Sequence, residues 1–172
     1  MERVVVIGPP GSGKSTVARA LGSLLDLPVV HLDTLFWNPG WVESDPDDFD
    51  ARVRVRIRDE RWVIDGNYQR TLAERMARAD RIVFLDLPRR LCLSQIVLRR
   101  VRYARRERPD MAPGCPERID REFWTWARGW HANSRARKLP LIAAHADKVE
   151  ILRSRREIRA FLAALARDGA AT

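Results

Sequence analysis

The chain has 172 residues, 45% of them hydrophobic and 32% charged, with two cysteines and a net charge of +9. That length buries a core without disulfide or metal staples, and that balance excludes a disordered or membrane-spanning chain. Cys92 and Cys115 lack metal-ligand spacing, and Arg3 interrupts any signal-peptide pattern, so free thiols in a cytoplasmic protein are expected.

The positive charge suits either nucleic acid or a polyphosphate ligand. Of the 32 basic residues, only Lys14, Lys138 and Lys148 are lysines. This arginine bias dilutes the weight of any single guanidinium and sharpens Lys14, where a compact ammonium was kept.

In chain order, Arg3 to Ile7 (RVVVI) reads as a strand buried on both faces, and apolar spacing predicts a helix from Lys14 to Leu25. Pro28 to Leu32 is a second strand. Residues 34–60 are polar and Trp-bearing, with a helix start at Asp45-Pro46-Asp47-Asp48 and helix to about Glu60. Trp62 to Asp65 is a third strand, Gln69 to Ala77 a helix, and Arg81 to Leu87 a fourth strand ended by Pro88.

A basic amphipathic helix is predicted from about Arg90 to Arg106, with Leu91, Leu93, Ile96, Val97 and Val101 on its core side. Glu107 to Pro116 is a loop, and Glu117 to about Ala136 an aromatic-rich helix. Lys148 to Leu152 is a fifth strand and Arg156 to Ala166 a closing helix. The alternation predicts an α/β fold with a five-stranded parallel sheet, helices on both faces, and ligands beyond the C-terminal strand ends.

Gly8, Pro9, Pro10, Gly11, Ser12, Gly13, Lys14 and Ser15 match the phosphate-loop pattern G-x-x-x-x-G-K-[ST], followed by Thr16. Glycines let successive N–H groups turn inward around an anion, and a helix N-terminus points its positive end at the same place. The motif assigns Lys14 to the β- and γ-phosphates and the Ser15 hydroxyl to Mg²⁺. The chain has no Asn-Lys-x-Asp guanine-selecting motif, so the expected ligand is MgATP. The loop alone does not choose among kinases, GTPases and regulatory ATPases.

With this loop, HLD at His31 to Asp33, DGNY at Asp65 to Tyr68, and an Arg-rich segment between strands four and five, the chain resembles adenylate-kinase-like P-loop proteins. More narrowly, it resembles the bacterial DNA topology modulation proteins through HLDTLFW and PGW (His31 to Trp41), WVIDGNY (Trp62 to Tyr68), ADRIVFLDLPR (Ala79 to Arg89) and RPDMAPGCPE (Arg108 to Glu117). The resemblance implies a nucleoside-monophosphate-kinase-like P-loop NTPase fold in one domain over residues 1–172, with a helical acceptor-binding insert at about 34–60 and a lid at about 103–118.

The resemblance also distributes roles. Asp33 would orient the acceptor or a magnesium-bound water, although Asp is also favoured as a helix N-cap. Asp65 would hold Mg²⁺ with Ser15, although Asp65-Gly66 also suits a plain turn. Adenylate kinases continue with Phe-Pro-Arg where this chain has Asn67, Tyr68, Gln69 and Arg70, so Arg70 reaches an acceptor phosphate only across a one-residue shift. Trp37 and Trp41 would stack on a flat acceptor or pack the insert's own core.

Arg99 would stabilise the transferring phosphoryl group, and Gln95 stands where the family has an adenine-stacking Arg. Arg108, Arg135 and Arg137 would close over the phosphates, whereas Arg100, Arg102, Arg105 and Arg106 read as a solvated helix face. Trp124, Trp126 and Trp130 with nearby arginines would suit single-stranded nucleic acid, but their spacing also suits core packing.

The expectation is an ATP-dependent kinase acting on a small acceptor, nucleoside monophosphates favoured, as a monomer or homodimer without membrane contact. The alternatives are a DNA-associated regulatory ATPase and a nucleotide-sensing module with little turnover.

Overall fold

The computed structural model describes residues 1–104 and 110–170. Arg105, Arg106, Arg108 and the stretch around them, part of the expected lid, lie outside the described residues.

Five strands, β1 (Arg3–Ile7), β2 (Val29–His31), β5 (Trp62–Asp65), β6 (Arg81–Leu85) and β7 (Val149–Leu152), form one sheet in the order β2-β5-β1-β6-β7. Every pairing in it is parallel. Successive side chains of β1 point to opposite faces. Val5 and Ile7 join a core closed by helices α3 (Pro46–Arg58), α4 (Leu72–Arg78) and α6 (Arg121–Ala143). Val4 and Val6 join a second core under α1 (Lys14–Leu25) and α7 (Arg155–Ala170). A sheet covered on both faces explains why its strands read as unbroken β-branched runs.

The boundary differences have local causes. The second strand stops at His31, because α2 (Leu32–Phe36) begins at once and carries Asp33 in its first turn. Residues 37–43 form a two-stranded antiparallel ribbon, β3 (Trp37–Asn38) and β4 (Val42–Glu43), turned at Pro39-Gly40-Trp41. Strands of two residues carry no periodicity, so this ribbon was absent from the sequence expectation.

Asp45 caps α3 as its Oδ1 accepts from Asp47 N and Asp48 N at 2.9 and 3.1 Å. The aromatic-rich helix starts at Arg121 because Asp120 caps it, accepting from Phe123 N at 2.7 Å. It then runs through Pro140 to Ala143, past the expected end near Ala136. Helix α5 (Arg89–Arg102) packs through Cys92 and Ile96, one turn apart, while Val97 and Val101 are 48% and 73% exposed. Both had been expected on its core side. Among the described residues, no helix is long and apolar enough to cross a membrane.

Phe84 lies wholly inside the sheet, at 0% exposure, opposite Ile7. Truncating it to Ala leaves a cavity between β6 and the helices above, and the expected loss is about 3–5 kcal/mol. Urea unfolding of wild type and Phe84→Ala at equal m-value measures it; a loss below about 1 kcal/mol would mean that this face is not tightly packed.

Candidate active site

The phosphate loop leaves β1 at Ile7 and enters α1 at Lys14. Its turns are closed by Ser12 N–H to Pro9 O at 3.1 Å and Val17 N–H to Gly13 O at 3.0 Å. Gly11 has a φ of 78°, and a Cβ there would stand 2.2 Å from the carbonyl oxygen of Cys92 in α5. Only glycine lets the loop lie against that helix. Ser12 Oγ is buried and has no hydrogen-bond partner among the described residues, an orphan hydroxyl in a loop built to cradle an anion.

Asn67, just beyond β5, ties down the loop's start. Its Nδ2 donates to Gly8 O at 2.8 Å, and its Oδ1 accepts from Gly8 N–H at 3.3 Å. Lys14 Nζ donates to Pro9 O at 3.3 Å. Burial pulls the Lys14 ammonium below the ordinary lysine pKa, and the Asp65 and Asp33 carboxylates oppose that shift.

Two acids stand across from Lys14. Asp65 ends β5 in register with His31 and Val6, is 4% exposed, and meets His31 Nδ1 through Oδ1 at 2.6 Å. Asp33 Oδ1 accepts from the Tyr68 hydroxyl at 2.6 Å. Burial and the adjacent Asp33 carboxylate raise the Tyr68 pKa, so the phenol remains a donor.

The loop carrying Gly66, Asn67 and Tyr68 is itself clamped by Arg75, which is 0% exposed. Its Nη1 and Nη2 donate to Gly66 O at 2.9 Å and Tyr68 O at 2.7 Å, and its Nε to Thr71 Oγ1 at 3.3 Å. Burial pushes the Arg75 pKa down to about 10.

Around these groups lies a cavity of about 660 Å³. Pro10, Gly11, Lys14, Ser15, Asp33, Asp65, Gly66 and Asn67 form its strand-end wall. Trp37 and Trp41 from the insert, and Phe123, Trp130 and Lys138 from α6, face them. Arg99 lines it too, with its Nε 2.8 Å from Glu117 Oε1. A smaller cavity of about 340 Å³ shares Gly11, Lys14, Ser15 and Arg99, and adds Gly13, Thr16 and Gln95.

The segment 110–118 closes over the insert. Gly40 N–H donates to Gly114 O at 2.9 Å, Trp41 Nε1–H to Pro116 O at 3.1 Å, and the Arg118 guanidinium sits 5.0 Å from the Trp41 ring. Met111, Ala112 and Cys115 pack against Trp37 and Trp41.

Three residues named from the sequence stand elsewhere. Arg70 does not line the cavity; it turns outward to pair with Asp47, and with Asp50 at 2.6 Å. Arg135 is held by Asp86, with contacts of 2.8 and 2.7 Å, and Arg137 is exposed; neither lines the cavity. In so arginine-rich a chain, position along a helix could not separate structural from cavity-facing guanidiniums.

Conversely, Tyr68, Arg75 and Lys138 were not singled out. For Lys138 the signal was present: it is one of three lysines in the chain, the same scarcity that marked Lys14.

A family model described as AAA domain matches residues 4–124. An adenylate kinase from Cyanothece sp. is 28% identical over 137 residues, which cover 62% of this chain and 70% of that protein. Among solved structures, a shikimate kinase from Bacteroides thetaiotaomicron superposes with a TM-score of 0.54 at 18% identity, covering 96% of both chains. The shikimate kinase from Acinetobacter baumannii in complex with shikimate gives 0.61 at 14% identity, covering 99% of this chain and 94% of that one. At such identities the two structures speak for the fold. The strand order, the phosphate loop and the family match agree: the chain belongs to the AAA-domain family, built on the P-loop NTPase fold of the small-molecule kinases.

Proposed function

We propose that the chain is an ATP-dependent phosphotransferase that passes the γ-phosphoryl group to a small acceptor, with nucleoside monophosphates the leading class on the likeness to adenylate kinases. The observation that supports this most is that Lys14 and Ser15 open into the same cavity as Asp33, Asp65 and an aromatic wall. A triphosphate on the loop and a flat acceptor against that wall would therefore share one cavity.

In this reading the loop from Gly8 to Thr16 holds the phosphates, the backbone N–H groups of Gly11 and of Gly13 to Thr16 donating, and Lys14 and Arg99 draw charge from the γ-phosphoryl oxygens. Ser15 and Asp65 offer the hard oxygen donors that magnesium takes while keeping most of its water; His31 occupies Asp65 Oδ1 and leaves Oδ2 available. Held there, magnesium would supply charge neutralisation to the phosphates.

Asp33, steadied by Tyr68, orients the acceptor oxygen and takes its proton where that oxygen is a hydroxyl. The acceptor oxygen bonds to the γ-phosphorus as the bond to the bridging oxygen breaks, and ADP leaves. Positioning and charge screening carry this chemistry, so no covalent nucleophile on the protein is needed.

A second reading, a DNA-associated ATPase, draws on the net charge of +9 and the likeness to the topology modulation proteins. Of the aromatic residues offered for a strand-binding platform, Trp130 is 0% exposed, which weakens it, whereas Trp126 is exposed. That reading expects DNA affinity falling steeply with salt and hydrolysis stimulated by DNA. Incubation with labelled ATP, a panel of nucleotides, nucleosides and small alcohols, and DNA separates the two by their products.

With the acceptor found, Lys14→Ala is expected to lower kcat/KM by at least about a hundredfold with the denaturation midpoint kept. Retained full activity would remove this mechanism. Asp33→Asn is expected to reduce kcat for a hydroxyl acceptor by roughly 10²–10⁴-fold while calorimetric ATP affinity holds. An unchanged kcat would leave Asp33 as the hydrogen-bond partner of Tyr68 alone, inside the first turn of α2 rather than at its N-cap, which is His31.

A further inference from the structure

Lys138 is 4% exposed, and its environment does not account for its charge. Its Nζ lies 3.5 Å from Gln69 Oε1 and 3.5 Å from Ser134 O, the outer limit of hydrogen bonding, and 5.7 Å from the Trp130 ring centre. It has no carboxylate partner among the described residues. The other cations lining the large cavity besides Lys14 are matched: Arg99 with Glu117 at 2.8 Å and Arg118 with Asp120 at 3.3 Å.

Burying an ammonium without a counter-ion costs several kcal/mol. Here burial, with Arg75, Lys14 and Arg137 around it, pushes its pKa down to about 8. Beside it, the Trp130 indole Nε1 is buried and has no hydrogen-bond partner among the described residues. An ammonium held only by two long bonds to neutral oxygens and an unpaired indole N–H on the same helix, both from residues lining the cavity, describe a place for an anion that the described residues do not supply.

We propose that Lys138 binds the anionic group of the acceptor, a carboxylate or a phosphate, so that the acceptor is a flat molecule carrying such a group. This rests on the phosphotransferase reading and gives its acceptor a chemical class. It also replaces Arg70, committed to Asp47 and Asp50, as the residue that meets an acceptor's negative charge.

The test uses binding alone. Calorimetry first measures ADP with magnesium; no heat would sink the phosphotransferase reading and this proposal with it. On the ADP-saturated protein, matched pairs are then titrated: AMP against adenosine, and benzoate against benzamide. The expected result is that at least one anion binds roughly tenfold or more tighter than its neutral twin. The pair that shows it separates phosphate from carboxylate. Lys138→Met should erase the preference, and Lys138→Arg should keep part of it.

In wild type, which needs no variant to fold, the preference should be full at neutral pH and decline as pH rises through about 8. The charged groups around it, Lys14, Arg75 and Arg137, include one other lysine whose pKa is lowered. Parallel ADP titrations follow Lys14 separately. Neutral twins binding as tightly as anions, a preference untouched in Lys138→Met, or one flat through pH 8 would each overturn the proposal while leaving ADP binding intact.

Discussion

Asn67 and Gly8 exchange two hydrogen bonds through one side-chain amide, and most of the site depends on that exchange. It fastens the first turn of the phosphate loop to the segment that follows β5. The same segment presents Tyr68 to Asp33 and follows directly on Asp65. The parallel pairing of β1 with β5 sets the two strand ends level, with Val6 opposite Asp65. Arg75 then holds the segment from beneath through two backbone carbonyls. A guanidinium is suited to this because it offers several fixed donors to oxygens that would otherwise be buried unpaired.

Charge inside the cavity is unevenly settled. Asp65 is met by His31, Asp33 by Tyr68, and Glu117 by Arg99. The two lysines differ: both ammoniums are pulled down by burial, and each is held mainly by neutral oxygens. Such a site is costly when empty of anions and gains when they arrive, because low dielectric strengthens whatever pairing they bring. Repulsion from Lys14 is one of the causes lowering the Lys138 pKa.

The sheet was legible because fully covered strands must be apolar throughout, and RVVVI, WVID and RIVFL satisfy that without ambiguity. The phosphate loop was legible because its backbone geometry demands glycine at fixed spacing. The ribbon at 37–43 was not, because two-residue strands are fixed by a turn and by the covering segment rather than by their own pattern. The guanidiniums were illegible for a different reason. Arg70, Arg99 and Arg135 are chemically identical, and what separates them is which carboxylate lies in reach: Asp47 and Asp50, Glu117, or Asp86. Those partners are distant in sequence. Lys138 was marked by the scarcity of lysine, but its place in the cavity was not legible because its helix was expected to end before it.

Gly114 carries a φ of 76°, and a Cβ there would stand 2.9 Å from Pro39 Cβ. A bulkier residue at this place would wedge the covering segment off the ribbon and loosen the bonds at Gly40 and Trp41. On the phosphotransferase reading, bulk solvent would then compete with the intended recipient for the activated phosphorus, and transfer would give way to hydrolysis. On that same reading, the shelter of the phosphorus from water rests in part on a glycine at a surface turn.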